Sequence, residues 1–150
     1  MLVEFLNFGA RPHNLYGVDL IPERVREAHN RLASSNISCV NGQRLPFPNQ
    51  AFDIVMQFTA FSSILDAQIR RDIACEMTRV VRPGGLILWY DFWTNPTNRQ
   101  TQGIRPAEQG LHPGLCLLGK IQPDFVKGQT LPSSFFHHVF LQQVHRRCAD

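Results

Sequence analysis

The sequence predicts an open α/β sheet of parallel strands with helices on both faces. Three observations carry that reading. Short β-type runs alternate with helical patterns over residues 2–92. A polar or acidic residue, Asp19 and then Asn41, closes each of the first two runs. A Pro83-Gly84-Gly85 turn separates the longest helical stretch from an apolar run.

Each element follows from its residues. Leu2, Phe5, Leu6 and Ala10 recur at helical spacing, with Gly9 as a stop. Leu15 to Leu20 reads as a buried strand. Pro22 suits the first turn of the next helix, whose apolar face is Val25, Ala28 and Leu32; Glu23 suits its dipole. Ile37 to Val40 is a second strand. Two prolines make Leu45-Pro46-Phe47-Pro48 a loop, with Leu45 and Phe47 packed beneath it. Phe52 to Phe58 is a third strand. Ile69, Ile73, Met77 and Val80 mark one face of a helix on which Asp66 and Arg70 stand four apart. Leu86 to Phe92 is the fourth strand. Further on, Pro106 to Leu111 reads as a short helix, and Leu115–Ile121 and Phe135–Val144 as strands.

Composition narrows the function. The chain has 150 residues, room for one domain, and 43% hydrophobic content. A net charge of +3 from 15 cations and 12 anions, with no basic run beyond a pair, argues against nucleic acid. No apolar stretch approaches the ~18 residues of a membrane span. The N-terminus lacks the basic region of a secretory signal, and Cys39, Cys75, Cys116 and Cys148 form no CxxC pair. Reduced thiols in a cytoplasmic protein are therefore expected. His137, His138 and His145 match no metal-ligand spacing, and no metal site is expected. Both lysines, Lys120 and Lys127, and four of the six histidines fall in the last third, so residues 112–150 read as a divergent tail.

As an ordered set, Asp19, Asn41 before the Leu-Pro-Phe-Pro loop, the Phe52-Asp53-Ile54-Val55 strand and the Arg82-Pro83-Gly84-Gly85 turn resemble the class I S-adenosylmethionine-dependent methyltransferases. The similarity is closest to their type-11 domains and spans about residues 2–92. It implies a Rossmann-like sheet, S-adenosyl-L-methionine as cofactor, and methyl transfer to a small molecule, sugar or lipid-linked acceptor. Ligands of open α/β sheets bind at the carboxyl ends of strands. Asp19, with Leu20 beside it, is placed to accept from the ribose hydroxyls; the alternative is a cap on the next turn. Asn41 stands where the family has an acid for the adenine amino group, with Gly42 and Gln43 backbone near the ring; the alternative is an Asn-Gly turn. Gln57 and Phe58, with Thr59, fall where the family lines the methionine part, or Gln57 caps the sheet. Asp91 is a candidate general base, or a solvated strand-end carboxylate. Methyl transfer needs no covalent machinery, because the sulfonium is already activated.

Nothing before Leu15 contains the family's opening strand and glycine-rich loop. The expectation is a chain that starts inside the first helix of the fold and binds cofactor poorly. The sheet would then carry unpaired edges at its centre, needing a closing rearrangement or a homo-oligomeric partner. Two other readings stand beside this one. One is a non-catalytic remnant or interaction module; the other, resting on Asp19 alone, is a dinucleotide-binding oxidoreductase fragment.

Overall fold

Apolar residues on alternating sides of successive strands require cover on both faces of a sheet, and that demand organises the chain. The computed structural model describes residues 2–32, 34–91, 102–104, 116–118 and 139–143, the last two segments as backbone alone. The elements are α1 (Leu2–Asn7), β1 (Leu15–Asp19), α2 (Pro22–Arg31), β2 (Asn36–Cys39), β3 (Phe52–Phe58), α3 (Ala67–Val80), β4 (Val81–Tyr90), β5 (Cys116–Leu118) and β6 (Val139–Gln143). Short 3-10 turns occupy Pro12–Asn14 and Phe61–Ser63. None of the described helices is long and apolar enough to cross a membrane.

The strands form one sheet in the order β2-β1-β6-β3-β4-β5, and every ladder is parallel. On one face Leu2, Phe5, Val25 and Leu32 of α1 and α2 and their flanks meet Leu15, Ile37, Ile54 and Met56. On the other, Ile73, Ala74, Met77 and Val80 of α3 meet Val18, Val55, Ile87 and Trp89. Phe61 and Ile104 are sealed into that second face, at 0% and 1% exposure. Phe47 makes edge contacts with Tyr16 and Phe52, and Leu45 is buried, so both lie beneath their loop as the pattern predicts.

β6 corrects the expectation of bare edges at the centre of the sheet. Val139 to Gln142 pair with Leu15 to Val18 on one side, and Val139 to Gln143 with Ile54 to Phe58 on the other. The chain itself covers those edges, because residues 139–143 supply a strand parallel to both neighbours. The β1 and β3 edges, for which a homo-oligomeric partner was one of two expected covers, are paired within the chain.

Two local readings also change. The Pro-Gly-Gly segment lies inside β4 rather than before it: Phe52 pairs with Val81 and Ile54 with Leu86, so residues 82–85 bulge opposite Asp53. Gly84 has φ +75°, and a Cβ on Gly85 would sit 2.7 Å from a Val81 methyl and 2.8 Å from the Asp53 carbonyl oxygen. Gly85→Ala should therefore lower stability by about 2–4 kcal/mol, and Gly84→Ala, which meets open space but keeps the unfavourable φ, by about 1 kcal/mol. Urea unfolding ranks the two; equal losses would count against the crowding at Gly85. Asp66, expected beside Arg70 as an ion pair, is the N-cap of α3 and accepts from Gln68 N–H at 2.7 Å and Ile69 N–H at 3.2 Å. Arg70 reaches back to the carbonyls of Ile64 and Leu65. Phe92, Trp93, the short helix over Pro106–Leu111 and the three histidines of the tail lie outside the described residues.

Candidate functional site at the carboxyl edge of the sheet

All six described strands run the same way, so their carboxyl ends share one edge. β1 and β2 are in register from Tyr16–Asn36 to Asp19–Cys39, and Val40 N–H continues the pairing by donating to the Asp19 carbonyl at 3.0 Å. The tips carrying Asp19 and Asn41 are thus neighbours. Asp19 is buried at 8% exposure. Its Oδ1 accepts from Ile21 N–H at 2.9 Å, and Arg24 Nη1 lies 3.8 Å from Oδ2. The turn-capping role set beside the ribose role is therefore present, and it fixes the orientation of the carboxylate. Leu20 is 58% exposed on the same tip. Cys39, exposed and opposite Asp19, donates its thiol to the Leu20 carbonyl at 3.6 Å.

Asn41 turns onto its own loop. Its Oδ1 accepts from Gln43 N–H at 3.0 Å, and its Nδ2 donates to Gln43 Oε1 at 3.3 Å. Gly42 is buried between them. Gln43 then donates to Asp72 Oδ2 at 2.9 Å, which ties this loop to α3. That bond is the main cause, ahead of one from Gln68, that holds the Asp72 carboxyl below its usual range. Further along, Glu76 accepts from Leu45 N–H at 2.7 Å, while Arg79 donates to the carbonyls of Leu45 and Phe47 and to Asn49 Oδ1. Arg79 also forks onto both Glu76 oxygens, at 2.6 and 2.7 Å. The Glu76 carboxyl is held low, chiefly by Arg79.

The tips of β3 and β4 are built differently. Gln57 is fully buried, and its Nε2 donates to Asp91 Oδ2 at 2.7 Å. The same oxygen accepts from Phe61 N–H at 2.9 Å and Ser62 N–H at 3.1 Å. Asp91 thereby joins β3, the following 3-10 turn and the end of β4. Gln57 Oε1 has no partner among the described residues. Phe58 stacks on Tyr90 at 4.4 Å between centroids, both half-buried. Thr59 leaves β3 with φ 50°, a left-handed backbone that donates its N–H to the Tyr90 carbonyl at 2.7 Å.

The structure thus brings Asp19, Leu20, Asn41 and Gly42 together on adjacent tips. Gln57 and Asp91 form a second cluster, across β6 from β1. Three contributors escaped the sequence reading. Asp72 and Arg79 lie on α3, far from the loop in sequence. The end of β6 lies between the two clusters, with Gln142 opposite Val18 and Gln143 opposite Phe58. The turn cap made by Asp19, by contrast, has a local signal in the sequence, an Asp two residues before Ile21.

Comparisons with known proteins bear on the family and the fold. A family model described as a methyltransferase domain matches residues 2–89. An uncharacterized protein of Haemophilus influenzae is 27% identical over 94 residues, which cover 59% of this chain and 37% of that protein. The crystal structure of a SAM-dependent methyltransferase from Methanosarcina mazei is 25% identical with a TM-score of 0.53, over 61% of this chain and 48% of that one. The chain therefore spans less than half the length of either relative. More than half of its own length nonetheless matches the family model, and the chain belongs to the methyltransferase domain family.

Proposed function

We propose that this chain holds the adenosyl part of S-adenosylmethionine at the tips of β1 and β2 and serves methyl transfer to a small-molecule acceptor, a sugar among the candidates. One observation carries the reading: a buried, oriented carboxylate, Asp19, stands next to an amide-bearing loop, Asn41 to Gln43, on the carboxyl edge of a parallel sheet. Asp19 receives the ribose hydroxyls, because a carboxylate offers about four acceptor positions and Ile21 N–H sets the direction it faces. Exposed Leu20 gives the nucleoside an apolar surface, and Asn41 and Gly42 face the purine. When bound, the cofactor supplies a methyl group on an activated sulfonium.

The nucleoside side of the site fits that group better than the remainder does. Residues 139–150 contain no glycine, the residue that best admits close backbone approach to a ligand, although β6 lies between the tips that carry Asp19 and Phe58. Gln57 and Phe58 are assigned the methionine end, yet Gln57 is fully buried and bonded to Asp91. Cofactor binding weaker than micromolar follows. The same observation favours a second reading, a family member that keeps the fold as a non-catalytic module.

Calorimetric titration with S-adenosylhomocysteine separates the two. The proposal expects weak binding that falls by about tenfold in Asp19→Asn, which keeps an acceptor for Ile21 N–H but loses the charge. It also expects the ligand to slow alkylation of Cys39, opposite Asp19, and to leave Cys75 on α3 unaffected. No heat and no protection at millimolar ligand would leave the module reading. Binding of NAD in its place would point to the dinucleotide alternative.

A further inference from the structure

The family match ends at residue 89, yet the sheet does not. β6 comes from residues 139–143 and sits between β1 and β3, with its last residues Gln142 and Gln143 opposite Val18 and Phe58. Those two partners adjoin Asp19 on one tip and Thr59 on the other. The end of β6 is therefore the stretch of backbone that separates the Asp19 tip from the Gln57–Asp91 cluster.

We infer that this C-terminal strand is a separable wall of the nucleoside site, and that an adenosyl ligand and β6 insertion support each other. The inference rests on the nucleoside reading above. Three observations support it. β6 is held on both sides by parallel ladders, so its withdrawal exposes the backbone donors and acceptors of β1 and β3 together. The other described ladders, β1 with β2, β3 with β4 and β4 with β5, do not involve it. The β1–β2 half and the β3–β4 half are hydrogen-bonded to each other within the described sheet only through β6, so it sets their main-chain spacing at the carboxyl edge alongside packing such as Tyr16 on Phe52 and the Gln43–Asp72 bond. A ligand that needs that spacing must favour the inserted state, and by linkage the inserted state must favour the ligand. The slot reads strand polarity and length through main-chain pairing, so the same residues supplied as a separate peptide fit it equally well.

The test is Leu141→Pro in the full chain, which removes a ladder donor from the middle of a central strand. Amide hydrogen exchange and S-adenosylhomocysteine titration are recorded with and without a peptide spanning residues 136–146. Exchange should rise by about tenfold or more in β1 and β3 while the β4 and α3 amides stay protected, and ligand affinity should fall by a similar factor. The peptide should restore both. A global loss of protection that the peptide fails to reverse overturns the inference. A wild-type chain that binds no S-adenosylhomocysteine overturns the nucleoside reading. Binding by wild type with equal binding by Leu141→Pro overturns the role of β6 alone.

Discussion

Asp91→Ala should lower folding stability by about 3 kcal/mol, among the largest losses expected of any single change at the carboxyl edge. One carboxylate oxygen accepts from Gln57 Nε2, Phe61 N–H and Ser62 N–H. Gln57 is fully buried, and its Oε1 has no partner among the described residues, so burial keeps water from replacing the lost bond at Nε2. Phe61 packs edge-on against Trp89 at 4.5 Å, and loosening its turn loosens that contact as well. Asp91→Asn keeps an acceptor oxygen and should cost about 1 kcal/mol. Urea unfolding of the pair measures the difference. Equal, small losses would mean that the three donors find other partners.

Arg79→Met should cost about 2–3 kcal/mol and free the loop that leads from Asn41 to Phe52. Arg79 joins Glu76 to the carbonyls of Leu45 and Phe47 and to Asn49, so its loss leaves a half-buried carboxylate and two carbonyls without their cation. A pH dependence follows. Arg79 is the first cause of the lowered Glu76 carboxyl, ahead of the Leu45 N–H bond and the nearby Arg44 charge, with burial opposing. The folded value lies below the unfolded one. This stabilisation is therefore complete above the ordinary glutamate value of 4.5 and is lost as pH falls through the lowered value. Asp72, held low by Gln43 and Gln68, adds in the same direction. Urea midpoints should drop on acidification below about pH 5, and drop less steeply in Arg79→Met. Parallel curves would show that this clamp contributes nothing to acid sensitivity.

Local patterns made much of the fold legible. Phe52–Phe58 is both the predicted and the observed third strand, because an apolar run between Pro48-Asn49 and the next polar turn leaves little choice of ends. Pro22 marks the start of α2 and the spacing of Ile73, Met77 and Val80 marks the buried face of α3. Non-local pairing set what could not be read. No feature of Val139–Gln143 says that it slots between β1 and β3, since strand order depends on which edges are left unpaired. The residues 82–85 look like a turn in sequence, and only the partner strand reveals that Val81 already belongs to the ladder. The site divides in the same way. Asp19 and Asn41 were visible as strand ends, whereas the donors on Asp91 and the tie from Gln43 to Asp72 join residues about thirty apart in sequence, where periodicity carries no signal.

The convergence of the β1 and β2 tips on one adenosyl group is tested most directly by backbone amide chemical shifts during addition of S-adenosylhomocysteine. Saturable shifts concentrated at Asp19, Leu20, Asn41 and Gly42, which need about tenfold more ligand in Asp19→Asn, are the predicted result. Shifts confined to other faces of the sheet, with these four amides unmoved, would contradict it.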